Sequence, residues 1–176
     1  MAETQVEVRV ARARSGSATV DTGLPVLDHL IREFAVAARL RIVLEVAPGT
    51  ADEEAARAGR ALGHALAAPL VEPGSAGRGW SIVPAAEALA AAALEVSAAP
   101  LLVANVDFRE EGVAGVATDV ASRFLEELTH AAGVNLHVRL LEGRDPQHVL
   151  AAIFKAVGAA VGDAVRAPIH SEEEEQ

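Results

Sequence analysis

A chain of 176 residues with 51% apolar content, only 3% aromatic content and no Cys can form one domain or two small halves around a core of short side chains, and it excludes a disulfide framework or a zinc–thiolate site. Four of its ten net negative charges sit in Glu172 to Glu175, leaving −6 of the −10 for the rest; this argues against nucleic-acid or anionic-membrane partners, which call for basic patches. No apolar run reaches membrane-spanning length and Met1 to Thr4 open no signal-peptide core, so a cytoplasmic setting is expected.

In chain order, Val6 to Val10 alternates apolar and polar residues, as a half-buried strand does. Turn residues between Ser15 and Gly23 enclose a short strand, Ala18 to Val20. Leu24 to Ala37 predicts an amphipathic helix with Val26, Leu27, Leu30, Ile31 and Phe34 on one face. Leu40 to Val46 reads as a strand that leads through Gly49 into an Ala-rich helix. The joining segment Ser81 to Pro100 is ambiguous: Ala90 to Ala93 favours helix by propensity, whereas its place between extended stretches favours strand. Leu101 to Val106 is extended in the manner of Val6 to Val10. Thr118 to Ala131 repeats the amphipathic pattern with Val120, Phe124, Leu125 and Leu128. A strand, Val134 to Leu140, then runs to Gly143 and a second Ala-rich helix.

This order is an internal repeat. Val26 and Val120, Phe34 and Leu128, and Leu44 and Val138 are each separated by 94 positions. Leu62-Gly63 and Val157-Gly158 are separated by 95. The expectation is an α+β fold of internally duplicated β/α half-domains. Residues 1–170 form one domain with repeats at about 3–80 and 98–167, and 171–176 form a disordered acidic tail.

Several stretches carry a resemblance in the same order. Thr22-Gly-Leu-Pro-Val-Leu-Asp-His-Leu30 resembles the Thr-Gly-x-x-Phe-Leu-Asp-His-Met signature of imidazoleglycerol-phosphate dehydratases, enzymes of histidine biosynthesis. Glu3-Thr4 before an alternating strand, Val83-Pro-Ala-Ala-Glu-Ala-Leu89, Ala131-Ala-Gly-Val-Asn-Leu-His137 and Ala152-Ile-Phe-Lys-Ala156 are similar to further family motifs. The resemblance implies a duplicated, ribosomal protein S5 domain 2-like fold of two sheet layers with helices, in which Ser81 to Ser97 is strand. It also implies a homo-oligomer, a trimer-based shell of 24 subunits bridged at manganese sites. The family's reaction removes water from imidazoleglycerol phosphate to give imidazoleacetol phosphate.

The family's metals sit on two His-His-x-x-Glu motifs, a spacing that puts an imidazole and a carboxylate on one helix face. Mixed imidazole and carboxylate donors suit Mn2+. The first motif falls on Asp52, Glu53 and Ala56. Glu53 is a possible ligand to a hard cation, or simply part of an acidic first turn that complements the helix dipole. The second falls on Gln147, His148 and Ala151, in the stretch Gly143-Arg-Asp-Pro-Gln-His-Val-Leu-Ala-Ala-Ile-Phe-Lys-Ala156. There His148 is either a leftover ligand or a surface histidine at a helix start.

His29 and His137 match family ligands. Without the family role, His29 is a helix residue paired with Asp28, and His137 a strand residue facing solvent or a subunit contact. Lys155 and Glu3 match residues of the reaction site, and Ala37 stands where the family commonly has His. The phosphate grip is thinned as well. Gly77 falls at the arginine expected before the Val-Pro motif, with Arg78 one place off. Ala98-Ala99-Pro100 replaces Gly-Arg-Pro, and Pro168 to Ser171 has no Ser-Thr-Lys-Gly loop. An arginine–phosphate pair contributes about 1.5–3 kcal/mol of charge-assisted bonding, and each such arginine that is absent forfeits it.

The expectation is therefore a divergent family member without dehydratase activity that keeps the oligomeric scaffold. It carries no cofactor, or Mn2+ if metal binding persists. An active dehydratase with atypical ligation is the alternative. A third is an enzyme of altered specificity that uses His29, His137, His148 and Lys155 on an unphosphorylated substrate.

Overall fold

Alternating strands, amphipathic helices and turn glycines divide the chain into seven strands and four helices among the residues that the computed structural model describes, 6–106 and 116–167. Glu3 and the acidic segment 171–176 lie outside those residues. The first half comprises β1 (Glu7–Arg12), β2 (Ser17–Asp21), α1 (Pro25–Ala38), β3 (Leu40–Glu45) and α2 (Ala51–Val71). Then follow β4 (Arg78–Ala85), β5 (Ala88–Val96), β6 (Leu101–Ala104), α3 (Val116–Ala132), β7 (Val134–Glu142) and α4 (Pro146–Ala164).

The strands form two sheets, ordered β1-β3-β2 and β4-β5-β7-β6. In the first, β1 runs antiparallel and β2 parallel to β3; in the second, β5 runs antiparallel and β6 parallel to β7. The register repeats too. Ala18 lies opposite Ile42, and Leu102 opposite Leu136, a partner 94 positions further on. The topology thus matches β5, β6 and β7 to β1, β2 and β3, taking in β5 as well as the residues from 98 onward. The extended stretch Leu101 to Ala104 is the counterpart of β2, whereas β1 is matched by β5.

The ambiguous joining segment is strand, but two strands rather than one run. A tight turn with Ala86 at φ 50° folds β4 back onto β5. The helix propensity of Ala90 to Ala93 gives way because β5 is paired on both edges, by β4 and β7. Its inward residues Ala88, Ala90, Ala92 and Leu94 are buried, so tertiary pairing overrides a local preference.

Each sheet buries one face against helices. The inward residues Leu40, Ile42 and Leu44 of β3 correspond to Val134, Leu136 and Val138 of β7, and all six are buried. α1 and α2 pack on the first sheet, and α3 and α4 on the second. The halves are joined by α1 against α4 and α2 against α3. Glycine makes both contacts possible. A Cβ built on Gly63 would lie 2.6 Å from the Leu128 carbonyl oxygen, and one on Gly158 2.4 Å from that of Phe34. These are the residues the sequence offsets pair, so one backbone-to-backbone contact has been built twice. Within the second half, Phe124 of α3 and Phe154 of α4 stack with ring centroids 5.5 Å apart. No helix of the described residues is long and apolar enough to cross a membrane.

Candidate functional site

The first motif position is the start of α2. Thr50 is its N-cap: the hydroxyl accepts from the Glu53 backbone N–H at 3.3 Å, and the Glu53 carboxylate accepts from the Thr50 N–H at 2.9 Å. This reciprocal pair is a capping box. It also places Arg57 3.9 Å from Glu53. The Thr50 backbone N–H first, then its hydroxyl and the Arg57 charge, hold the Glu53 carboxyl below the usual range. Asp52 lies 3.5 Å from Arg123 of α3. Ala56, at the position of the family glutamate, is buried and offers no donor atom.

Glu54, beside this motif, is 93% buried and accepts from the Gly49 N–H at 2.9 Å. Gly23 rests against it, and at φ 80° a Cβ there would stand 2.9 Å from the carboxylate oxygens. The signature Thr22-Gly-Leu-Pro thus docks on the start of α2. Asp28 locks that turn, accepting from the Thr22 N–H at 2.9 Å and its hydroxyl at 2.6 Å. Asp28 is therefore committed to buried Thr22, not to His29, which points from the exposed side of α1.

The second motif position starts α4. Asp145 caps it, accepting from the N–H groups of Gln147 at 2.8 Å and His148 at 3.3 Å, with Pro146 opening the helix. His148 Nδ1 lies 2.6 Å from Glu87 in the β4–β5 turn. The same carboxylate accepts from the Asp145 N–H at 2.9 Å and the Arg144 N–H at 3.3 Å. These bonds, the Asp145 N–H foremost, lower its pKa to about 2. Ala151, one turn on, is half-buried without a donor atom. Lys155 faces α1, with Nζ 3.4 Å from Glu33.

His137 stands apart, on the outer face of the second sheet opposite Ala93 and Val103. It lines an open groove of about 980 Å³ together with Arg39, Arg78, Trp80 and Arg166. His29, Glu53, His137 and His148 are not brought together: among the described residues, no three His, Asp or Glu side chains form a metal-holding group. Within one chain the donors do not fit Mn2+: both glutamate positions are Ala, Glu53 and His148 are engaged by Thr50 and Glu87, and His29 and His137 stand apart from them. Sequence reasoning assigned no role to Glu87, although the Val-Pro-Ala-Ala-Glu stretch contained it, nor to Arg39 and Arg166, which no local pattern marks.

The imidazoleglycerol-phosphate dehydratase family model matches residues 22–161. The imidazoleglycerol-phosphate dehydratase of Symbiobacterium thermophilum is 35% identical over 170 residues, covering 93% of this chain and 80% of that protein. That of Desulfitobacterium hafniense is 34% identical over 171 residues, covering 93% and 86%. The crystal structure of the Staphylococcus aureus dehydratase superposes with a TM-score of 0.83 at 25% identity, covering 94% of this chain and 96% of that one.

Proposed function

The chain belongs to the imidazoleglycerol-phosphate dehydratase family, and from that premise we propose that it is a cytoplasmic, divergent member without dehydratase activity that keeps an oligomeric, shell-forming scaffold. The observation that carries this reading is the state of the two helix starts. At each, the glutamate position is an alanine, and the remaining acid or imidazole is already engaged, Glu53 by its N-cap Thr50 and His148 by Glu87 of the β4–β5 turn. A dehydration at this site needs the substrate imidazole held, its phosphate gripped, and a proton taken from the carbon beside the departing hydroxyl. Bound Mn2+ would supply the first of these. Here Lys155 is paired with Glu33, and the phosphate-gripping arginines are Gly77 and Ala99.

The losses fall on chemistry-bearing positions, whereas the features that build the fold persist. Gly23, Gly63 and Gly158 still serve their close contacts, and Thr22 and Asp28 still lock their turn. Such a distribution supports a scaffold freed from catalysis.

The test is metal content of the purified protein by mass spectrometry, paired with turnover of imidazoleglycerol phosphate in added Mn2+. Far less than one metal per chain and no turnover are expected. Near-stoichiometric metal with measurable turnover would overturn the proposal. That result would establish the second reading, an active dehydratase with atypical ligation, which the dehydratase names of the relatives and the persistence of His29, His137 and Lys155 favour.

A further inference from the structure

The two sheets are not equal copies. In the second, β4 covers the outer edge of β5, whereas β1, the counterpart of β5, is the end strand of a three-stranded sheet. The register that sets Val8 opposite Leu44 and Arg12 opposite Leu40 continues to Ala13, whose N–H donates to the Arg39 carbonyl oxygen at 3.0 Å. Residues at odd positions of β1 therefore aim their backbone groups at β3, and Val8 and Val10, with Val6 just before the strand, aim theirs away from the sheet. Among the described residues, no backbone group bonds to these valines on that side. Their side chains pack against the core, yet all three stay only half-buried. Ala92 and Leu94, the counterparts of Val8 and Val10, are fully covered beside β4.

Such an edge is a template for another strand, and β1 is complementary to itself. We propose that the β1 edges of two copies pair antiparallel about a twofold axis, with Val8 opposite the partner's Val8, joining their three-stranded sheets into one continuous sheet. Val8 then exchanges both backbone bonds with the partner's Val8, and Val10 does so with the partner's Val6. The valines share the inner face. On the outer face Glu7 lies opposite the partner's Arg9 in a non-hydrogen-bonded pair, the closer kind, with Cα atoms about 4.5 Å apart. Glu7 and Arg9 pair with each other within the chain, so the contact exchanges matched charges for matched charges. Sliding the register by two residues sets Arg9 against the partner's Arg9, or Glu7 against the partner's Glu7, like charges directly opposite. The charge pattern thus selects both the partner and the register. This contact gives a surface to the oligomeric scaffold proposed above and rests on that reading.

The chain contains no Cys, so an introduced disulfide reports the register directly. Chains carrying E7C and chains carrying R9C are co-expressed, oxidised mildly and compared with each variant alone on non-reducing gels. Both side chains are exposed, so neither variant disturbs the core. A Cα separation of about 4.5 Å lies within disulfide reach, whereas identical positions across the twofold axis lie diagonally, about 7–8 Å apart. The expected result is a covalent dimer in the mixture and almost none from either variant alone. No covalent dimer in the mixture, or equal amounts in all three samples, would overturn the proposal. Light scattering of the reduced samples keeps the two readings apart. An assembly larger than one chain that gives no cross-link overturns the β1 pairing and leaves the scaffold standing; a monomer that gives none overturns both.

Discussion

Glu87 joins elements that local sequence keeps apart. It sits in the turn between β4 and β5, yet its carboxylate accepts from the backbone of Asp145 and Arg144 and meets the His148 ring, tying the hairpin to the start of α4. Its pKa is lowered to about 2 from 4.5. A carboxylate lowered on folding stabilises fully above its unfolded pKa and loses that contribution as pH falls through the folded one. The gap in urea midpoint between the protein and Glu87→Gln is therefore expected to be widest above pH 4.5 and to close towards pH 2. A gap that stays constant across that range would refute the role. His148 itself is an imidazole without its motif partners. Restoring them with Gln147→His and Ala151→Glu is expected to raise the Mn2+ bound per purified chain above that of the parent, read by mass spectrometry.

At the scale of elements, the halves meet where helices approach backbone to backbone. Gly63 on α2 and Gly158 on α4 admit the carbonyl oxygens of Leu128 on α3 and Phe34 on α1. These neighbours are main-chain atoms within helices and cannot swing aside. Gly63→Ala and Gly158→Ala are each expected to destabilise by about 1–3 kcal/mol through overpacking, measured as a lowered denaturant midpoint with an unchanged slope. The near-equality of the two effects would itself reflect the repeat. The helix starts show the same economy with different chemistry, since α2 is capped by Thr50 with Glu53 and α4 by Asp145. One glycine-mediated contact is copied across the duplication, whereas the caps have diverged.

For the whole molecule, two sheets bury their inner faces on helices and leave their outer faces exposed. The outer face of the second sheet carries Trp80, Ile82 and Leu101, each more than half exposed. In the proposed scaffold, subunit contacts rest on side-chain packing rather than on metal bridges. The mass measured by light scattering is thus expected to be the same before and after exhaustive chelation; a fall to trimers on chelation would show that metal still bridges the subunits.

The sequence by itself determined the periodic elements, the duplication and the family. Those depend on local alternation, helical spacing and offsets such as Phe34 to Leu128, which survive as a one-dimensional pattern. It also exposed the missing donors at Ala56 and Ala151, because residue identity alone decides whether a ligand atom exists. The resemblance already implied strand over Ser81 to Ser97. The tertiary structure divided it into β4 and β5 and supplied the reason, since pairing of β5 on both edges outweighs the helix propensity of its alanines. Only the tertiary structure engaged His148 with Glu87, Asp28 with Thr22 rather than His29, and Lys155 with Glu33. It alone gathered Arg39, Arg78 and Arg166 around one groove. Those partners lie on different elements, in the last case 127 positions apart from Arg39 to Arg166. Contacts of that kind are set by how helices and sheets pack, which no local spacing encodes.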